Sequence, residues 1–326
     1  MPETTTARQF WIRRPGHGEI LTADLGPRQE DQVLVRTMYS GISRGTESLV
    51  FRGEVPPSQY EAMRAPFQEG EFPSPIKYGY SSVGKVMVGP EHLVDRTVFC
   101  LYPHQDYYYV AAADVTLVPD GVPANRAVLA ANMETAVNAV WDARPTVGDR
   151  IVVVGAGVLG LLVAWICRQI PGAQVTAVDI NPARRTVADK LGVAFAVEPP
   201  QNAEADLVIH ASGQPEGLAV ALTLAGVEAT IVELSWYGNR LVSLPLGEAF
   251  HSRRLTVRSS QVARLHPERS PRWTPSRRLA LALDLLQESS FDALMTGESP
   301  FADLPEVLKR LSREQPTNTL CHRIRF

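Results

Sequence analysis

Three features of the sequence predict an α/β protein with a doubly wound parallel sheet. Val152-Val153-Val154 runs into the turn Gly155-Ala156-Gly157-Val158-Leu159-Gly160, strand and helix patterns alternate beyond residue 127, and the part before it reads as short strands and turns. The turn is a G-x-G-x-x-G between an apolar strand and a helix, answered about 20 residues on by Asp179. Gly155 allows the tight turn, Gly157 lets backbone approach a pyrophosphate, and Gly160 lets helix and strand pack closely. Val158 and Leu159 open the helix, whose free N–H groups and positive dipole end suit that pyrophosphate. Strand, turn, helix and acid in register predict dinucleotide binding.

In chain order, residues 32–36 alternate as a strand, residues 81–88 do so around Gly84, and residues 97–101 form another apolar run. Residues 52–75, rich in proline and glutamate, read as a long irregular loop, either surface decoration or a lid over a substrate. Residues 127–141 have helical spacing, broken by Pro145 and Gly148 before the strand at 150–154 and a helix at 158–170. Residues 174–180 are strand-like, and Asn181-Pro182 opens a helix with an asparagine cap and a proline at its first position. Strands at 205–210, 229–234 and 254–259 and a helix at 216–224 continue the β-α rhythm of a sheet covered on both faces. The tail reads as a polar loop at 265–275, helices at 278–287 and 304–313, and a strand at 319–326.

Composition narrows the class. A chain of 326 residues with net charge −3 has material for about two domains and gives no reason to expect nucleic acid or an anionic membrane as partner. The lysines, Lys77, Lys85, Lys190 and Lys309, are scattered, and no basic stripe carries interleaved aromatics. The first residues show no apolar core of signal-peptide length, and the longest apolar helix is interrupted by Arg168, so no membrane span and a cytoplasmic location are expected. Cys100, Cys167 and Cys321 are too few and too scattered for a disulfide framework or a zinc site.

The segments SGISRGTE (40–47), YGYSSVGKV (78–86), DRTVFCLYPHQ (95–105), GDRIVVVGAGVLG (148–160) and VDINPARRTVADKLG (178–192) carry a resemblance to the medium-chain dehydrogenase/reductase superfamily, the zinc alcohol dehydrogenase and quinone reductase group. The resemblance implies a Rossmann NAD-binding domain (126–262) inserted into a β-rich GroES-like catalytic domain, which 1–125 begins and 263–326 completes. With YGY in place of the family's GHE, the chain most resembles a zinc-lacking branch, that of bacteriochlorophyllide a dehydrogenase.

Where zinc-dependent members have a cysteine ligand this chain has Ser43, where they have histidine and glutamate it has Tyr80 and Ser81, and the third ligand falls near Ala131 or Asn132. A catalytic zinc needs three ligands of thiolate, imidazole or carboxylate type. The lobe that holds the family's structural zinc is missing as well, so no zinc is expected. Hydride transfer at a C–O carbon then needs another group to polarise the oxygen or take its proton. Tyr80 is one candidate, or fills vacated volume; Ser43 and Thr46 can donate hydrogen bonds to nicotinamide or substrate. His104 can relay protons near neutral pH, or be structural in its Pro-His-Gln loop. Glu134, on the helix beneath the nicotinamide in relatives, is a candidate base if burial raises its pKa, or pairs with Arg44.

Arg44, Thr135 and His210, the last at a strand end, are further candidate cofactor contacts. The Asp179 carboxylate would repel a 2′-phosphate and so favours NAD over NADP, although Arg184 and Arg185 lie nearby. The expected activity is zinc-independent interconversion of a secondary alcohol and its ketone, a small-molecule substrate. Reduction of activated C=C bonds or quinones is the alternative within enzymes, and a non-catalytic NAD sensor the alternative outside them. By analogy with relatives a homodimer is expected, joined through an edge strand at 254–259.

Overall fold

The computed structural model describes residues 6–313 and 318–326. The chain divides into one unit of Met1–Ala131, Leu279–Ser289 and Met295–Phe326, and a second of Asn132–Arg278 with Ser290–Leu294.

The first unit opens with an antiparallel hairpin, β1 (Thr6–Arg14) and β2 (His17–Asp24), turned at Gly16 with φ 77°. Then come β3 (Gln32–Ile42) and α1 (Arg44–Arg52). Helix α1 stops at Gly53, whose φ of 72° is left-handed and returns its N–H to the carbonyls of Leu49 and Val50. The short strands β4 (Glu69–Gly70) and β5 (Ile76–Lys77) join β1 and β2 in a four-stranded sheet ordered β2-β1-β5-β4. The stretch at 52–75 is therefore not wholly irregular, holding β4 and a 3-10 turn at Pro57–Gln59. Next come β6 (Ser82–Val88), β7 (Thr97–Cys100), β8 (Tyr107–Ala111), β9 (Thr116–Leu117) and α2 (Ala124–Ala127). Alternation along these strands turns Val33, Val35, Val86, Val98, Tyr108 and Val110 into one buried cluster.

The second unit holds the parallel sheet. After α3 (Ala130–Ala143) come β10 (Arg150–Val154), α4 (Val158–Cys167), β11 (Gln174–Val178), α5 (Arg185–Lys190), β12 (Ala194–Ala196), β13 (Ala205–His210), α6 (Pro215–Leu224), β14 (Ala225–Glu233) and β15 (Thr256–Ser259). The order β12-β11-β10-β13-β14-β15, parallel throughout, reverses direction between β10 and β13. Ligands of such sheets bind at the carboxyl ends of the strands at this switch point. Helix α4 is almost entirely apolar because it is buried nearly all round: Leu161, Leu162, Val163, Ala164 and Cys167 are inaccessible to solvent. Strands β12 and β15 are the two edges of the sheet.

Helix α7 (Pro275–Leu285), β16 (Met295–Pro300), α8 (Leu304–Leu311) and β17 (Cys321–Arg325) end the chain. β17 pairs with β3, completing a seven-stranded sheet ordered β16-β17-β3-β6-β7-β9, with β8 also on β3. The C-terminal strand thus returns to the first unit. Among the described residues no helix is long and apolar enough to cross a membrane.

Candidate active site

At the end of β10 the three glycines of the turn do different work. A Cβ on Gly155 (φ 106°) would lie 2.6 Å from the backbone nitrogen of Ser212, and one on Gly160 would strike the carbonyl oxygen of Gly155. Both exclude side chains because backbone is already there. A Cβ on Gly157 would meet nothing within 4 Å. Gly157 is also the N-cap of α4, so the space beside it lies at the helix end that attracts anions, a cradle that a side chain would fill.

Asp179, one residue beyond β11, accepts from the N–H of Ala156 inside the turn and from that of Asn181, both at 2.8 Å. A carboxylate offers about four lone-pair sites, so two remain for ribose hydroxyls. Asn181 caps the following turn through the N–H of Ala183. Arg184 is buried, and Arg185 donates to the carbonyl of Phe195 while its guanidinium lies 5.1 Å from that ring centre.

His210 ends β13 directly opposite Glu233 of β14. Its Nδ1 is 2.7 Å from the Glu233 carboxylate and its Nε2 2.6 Å from Ser212 Oγ, so both ring nitrogens are engaged. Tyr237 donates to the same carboxylate at 3.0 Å, and burial, then Glu233, pushes its phenol well up.

Glu134 on α3 pairs with Arg278 at 3.1 Å, both buried. The cation paired with Glu134 is Arg278. Burial raises the Glu134 pKa and Arg278 opposes the rise. Arg278 also donates to Asn138 Oδ1 and, at 2.6 Å, to the carbonyl of Val262, while Asn138 and Ser260 bond Asp142. Glu134 therefore belongs to a brace tying α3 to the segment after β15. Thr135 is the next residue on α3.

In the first unit, polar groups converge around the start of α1. His104 lies between Ser40 Oγ, 2.6 Å from Nδ1, and Glu47 Oε2, 2.8 Å from Nε2; all three residues are at most 2% exposed. The other Glu47 oxygen accepts from the N–H of Ser43 at 2.7 Å, tying off the first turn of α1. Gly79 leaves room for this imidazole, since a Cβ there would lie 3.0 Å from its ring.

The Tyr80 phenol lies near the side-chain hydroxyls of Ser43 and Thr46, which favour its ionised form, but burial, then the Glu47 charge, pushes its pKa up to about 12. Ser81 Oγ donates to the carbonyl of Val128 at 2.5 Å and is structural. A row of rings leads to Tyr80: Tyr60–Phe72 at 5.5 Å, Phe72–Tyr78 at 5.8 Å and Tyr78–Tyr80 at 6.0 Å. Tyr60 and Phe72 come from the 52–75 stretch, which therefore packs against this site through an aromatic edge.

The donors at the family's ligand positions do not fit a catalytic zinc. Ser43, Tyr80 and Ser81 offer neutral hydroxyls, Ala131 offers none and Asn132 an amide. The nearby imidazole and carboxylate, His104 and Glu47, are bonded to each other, and no group of three or more His, Cys, Asp or Glu side chains able to hold a metal occurs among the described residues.

Ser40 and Glu47 as partners of His104, Arg278 as partner of Glu134, and Glu233 as partner of His210 were not foreseen. The last had a signal: His210 and Glu233 end consecutive strands. The others join residues that no local spacing connects.

No family model matches the chain. It is 31% identical over 131 residues to L-threonine 3-dehydrogenase of Aeromonas salmonicida, a match covering 40% of this chain and 37% of that protein. The matched stretches span about two fifths of the length of such curated relatives. Among solved structures, L-idonate 5-dehydrogenase from Escherichia coli superimposes with a TM-score of 0.79 at 15% identity, covering 99% of both chains. Acetophenone reductase from Geotrichum candidum, solved with NAD, does so at 0.78 and 17%, covering 100% of this chain and 98% of that one. The fold is that of these two-domain dehydrogenases. The chain thus shares the fold of these dehydrogenases, and over the matched stretch its sequence is similar to that of the threonine dehydrogenase.

Proposed function

We propose that the protein is an NAD-linked oxidoreductase of the zinc-lacking medium-chain branch, interconverting a ketone and its secondary alcohol with Tyr80 as the proton donor. The observation that carries this reading is the Tyr80 phenol beside the Ser43 and Thr46 hydroxyls, where the sequence resemblance places a metal ligand of zinc-dependent relatives.

The N–H groups at Gly157, Val158 and Leu159 would take the pyrophosphate and Asp179 the adenosine ribose. The Asp179 carboxylate disfavours a 2′-phosphate, and Arg185 is already committed to Phe195, which supports NAD. His210, with both nitrogens engaged, would act on the cofactor only by fixing the 211–213 loop. When bound, the nicotinamide supplies or accepts the hydride.

A carbonyl oxygen that has gained negative charge must receive a proton. A phenol pushed up to about 12 is neutral at physiological pH, so Tyr80 is loaded to donate and poorly suited to abstract. Its Oη hydrogen would strengthen its bond to the oxygen as charge develops, then pass across, while Ser43 and Thr46 share the charge left on Oη. Glu47 holds the Ser43 backbone, and His104 and Ser40 hold Glu47, so these three position the donor. The ring row ending at Tyr80 supports an aryl or conjugated ketone as substrate, the class that gives acetophenone reductase its name.

The test is hydride exchange from NADH and NADPH to aryl ketones, aliphatic ketones, quinones and enones, with metal analysis of the same sample. Aryl ketone reduction by NADH that survives chelation is expected. Stoichiometric zinc, or tight NADH binding with no turnover on any acceptor, would overturn the proposal. We further propose a homodimer through the β15 edge, where Val257 is exposed; a monomeric mass by light scattering at micromolar concentration would refute it.

A further inference from the structure

The geometry points to a second ligand site in the second unit, for a phosphate monoester carrying an apolar or aromatic body. A cleft of about 460 Å³ opens among the end of α3, the lead-in to β10 and the segment between β15 and α7. That volume lies in the range of small-molecule sites, roughly 300–1,000 Å³.

Its charges are unbalanced. Arg144, Arg269 and Arg272 line it against one carboxylate, Glu268, which Arg144 meets at 2.6 Å. The Arg269 guanidinium lies 5.5 Å from the Trp141 ring centre, and neither Arg269 nor Arg272 has a carboxylate partner among the described residues. Two guanidiniums are thus uncompensated. A phosphate monoester carries about −1.5 to −2 at pH 7, and the guanidinium fork matches phosphate oxygens.

Arg144 is also imperfectly served. It donates to Nε2 of buried His266, at 3.2 Å from Nε and 3.1 Å from Nη2, while the N–H of Glu268 points at Nδ1 from 3.2 Å. A neutral imidazole accepts at only one nitrogen, so one of these donors lacks an acceptor that an incoming anion would supply. The apolar part of the wall, Val140, Trp141 and Ile170, suits a ring or alkyl body.

The cleft is not the cofactor's. Pro145 and Thr146 precede β10, whereas the glycine turn follows its far end. Five residues of strand at about 3.3 Å each put roughly 16 Å of sheet between the two.

The test is calorimetric titration of the whole protein, saturated with NADH, by phenyl phosphate and by inorganic phosphate. One phenyl phosphate should bind, more tightly than inorganic phosphate. Arg269 and Arg272 are exposed, so R269Q and R272Q should fold, each weakening binding roughly tenfold while NADH affinity is unchanged. Gly157→Val should lose NADH but keep phenyl phosphate. Absence of binding, equal binding of inorganic phosphate, undiminished binding by R269Q/R272Q, or loss of phenyl phosphate in the Gly157 variant would each overturn the proposal.

Discussion

Replacing Tyr80 by phenylalanine removes one oxygen and keeps the ring in its row with Tyr78. Three effects of different size follow. Removing a preorganised donor from a developing oxyanion costs about 2.7–4 kcal/mol, so turnover on the best ketone should fall roughly 10²–10³-fold. Removing the phenol oxygen beside the Ser43 and Thr46 hydroxyls, at a partly buried site, should cost about 1 kcal/mol of folding stability. The third effect is a pH dependence with a definite sign.

The phenol titrates near its ordinary value of 10 when unfolded and near 12 when folded, so between these values the unfolded chain loses the proton first. Its contribution is complete below pH 10 and is lost as pH rises to about 12, at up to about 1.4 kcal/mol per pH unit, less whatever solvent screening removes. Urea melts of wild type and Y80F at pH 9.5 and 11.5 should therefore converge as pH rises. Single-turnover oxidation of NADH by the ketone measures the chemistry, and fluorescence titration measures NADH affinity, expected to stay within twofold. Unchanged turnover would remove Tyr80 from the reaction. A stability difference that grows with pH would refute the cause assigned to its raised pKa.

Gly157→Val should weaken NADH binding more than 100-fold with little change in the unfolding midpoint, since only open space lies beyond that Cα; Gly160→Val, which drives a side chain into the Gly155 carbonyl, should not yield folded protein, and circular dichroism separates the two. Arg278→Gln should cost about 3–5 kcal/mol in urea melts by leaving the Glu134 carboxylate buried without its cation, and a loss under 1 kcal/mol would deny that the brace matters. Lys77, buried against Gln105 and Glu69, has its pKa lowered by burial with Glu69 opposing. Its unfolded form keeps the proton up to the ordinary 10.5, so stability should climb as alkaline pH passes from the lowered value towards 10.5. Lys77→Met should abolish that climb in melts across the alkaline range.

The parallel sheet was legible because its information is local. A run such as residues 205–210 declares a strand by itself, and Asn181-Pro182 announces a turn with the cap the structure shows. Boundaries failed where backbone departs from the simple pattern. β14 begins at Ala225, earlier than its apolar run suggests, with Glu228 at φ 61° inside it. Helix α7 starts at Pro275 because Thr274 Oγ1 accepts the N–H of Arg277, a cap that Thr274-Pro275 spells but the apolar spacing from 278 hides.

The candidate site divides the same way. That Ser43 and Tyr80 fall where zinc-dependent relatives hold ligands is what the sequence resemblance implies. What those side chains can do depends on partners set by the antiparallel packing of the first unit. Glu47, 57 residues from His104, adds to the rise that burial gives the Tyr80 pKa and anchors the turn that carries Ser43. A histidine in a Pro-His-Gln loop is equally compatible with a free, solvated proton carrier. Its enclosure between Ser40 and Glu47 holds both ring nitrogens, and burial, with the Glu47 charge, raises the Tyr80 pKa further above neutrality. The surroundings of the Tyr80 phenol thus depend on a long-range contact that no local motif spells.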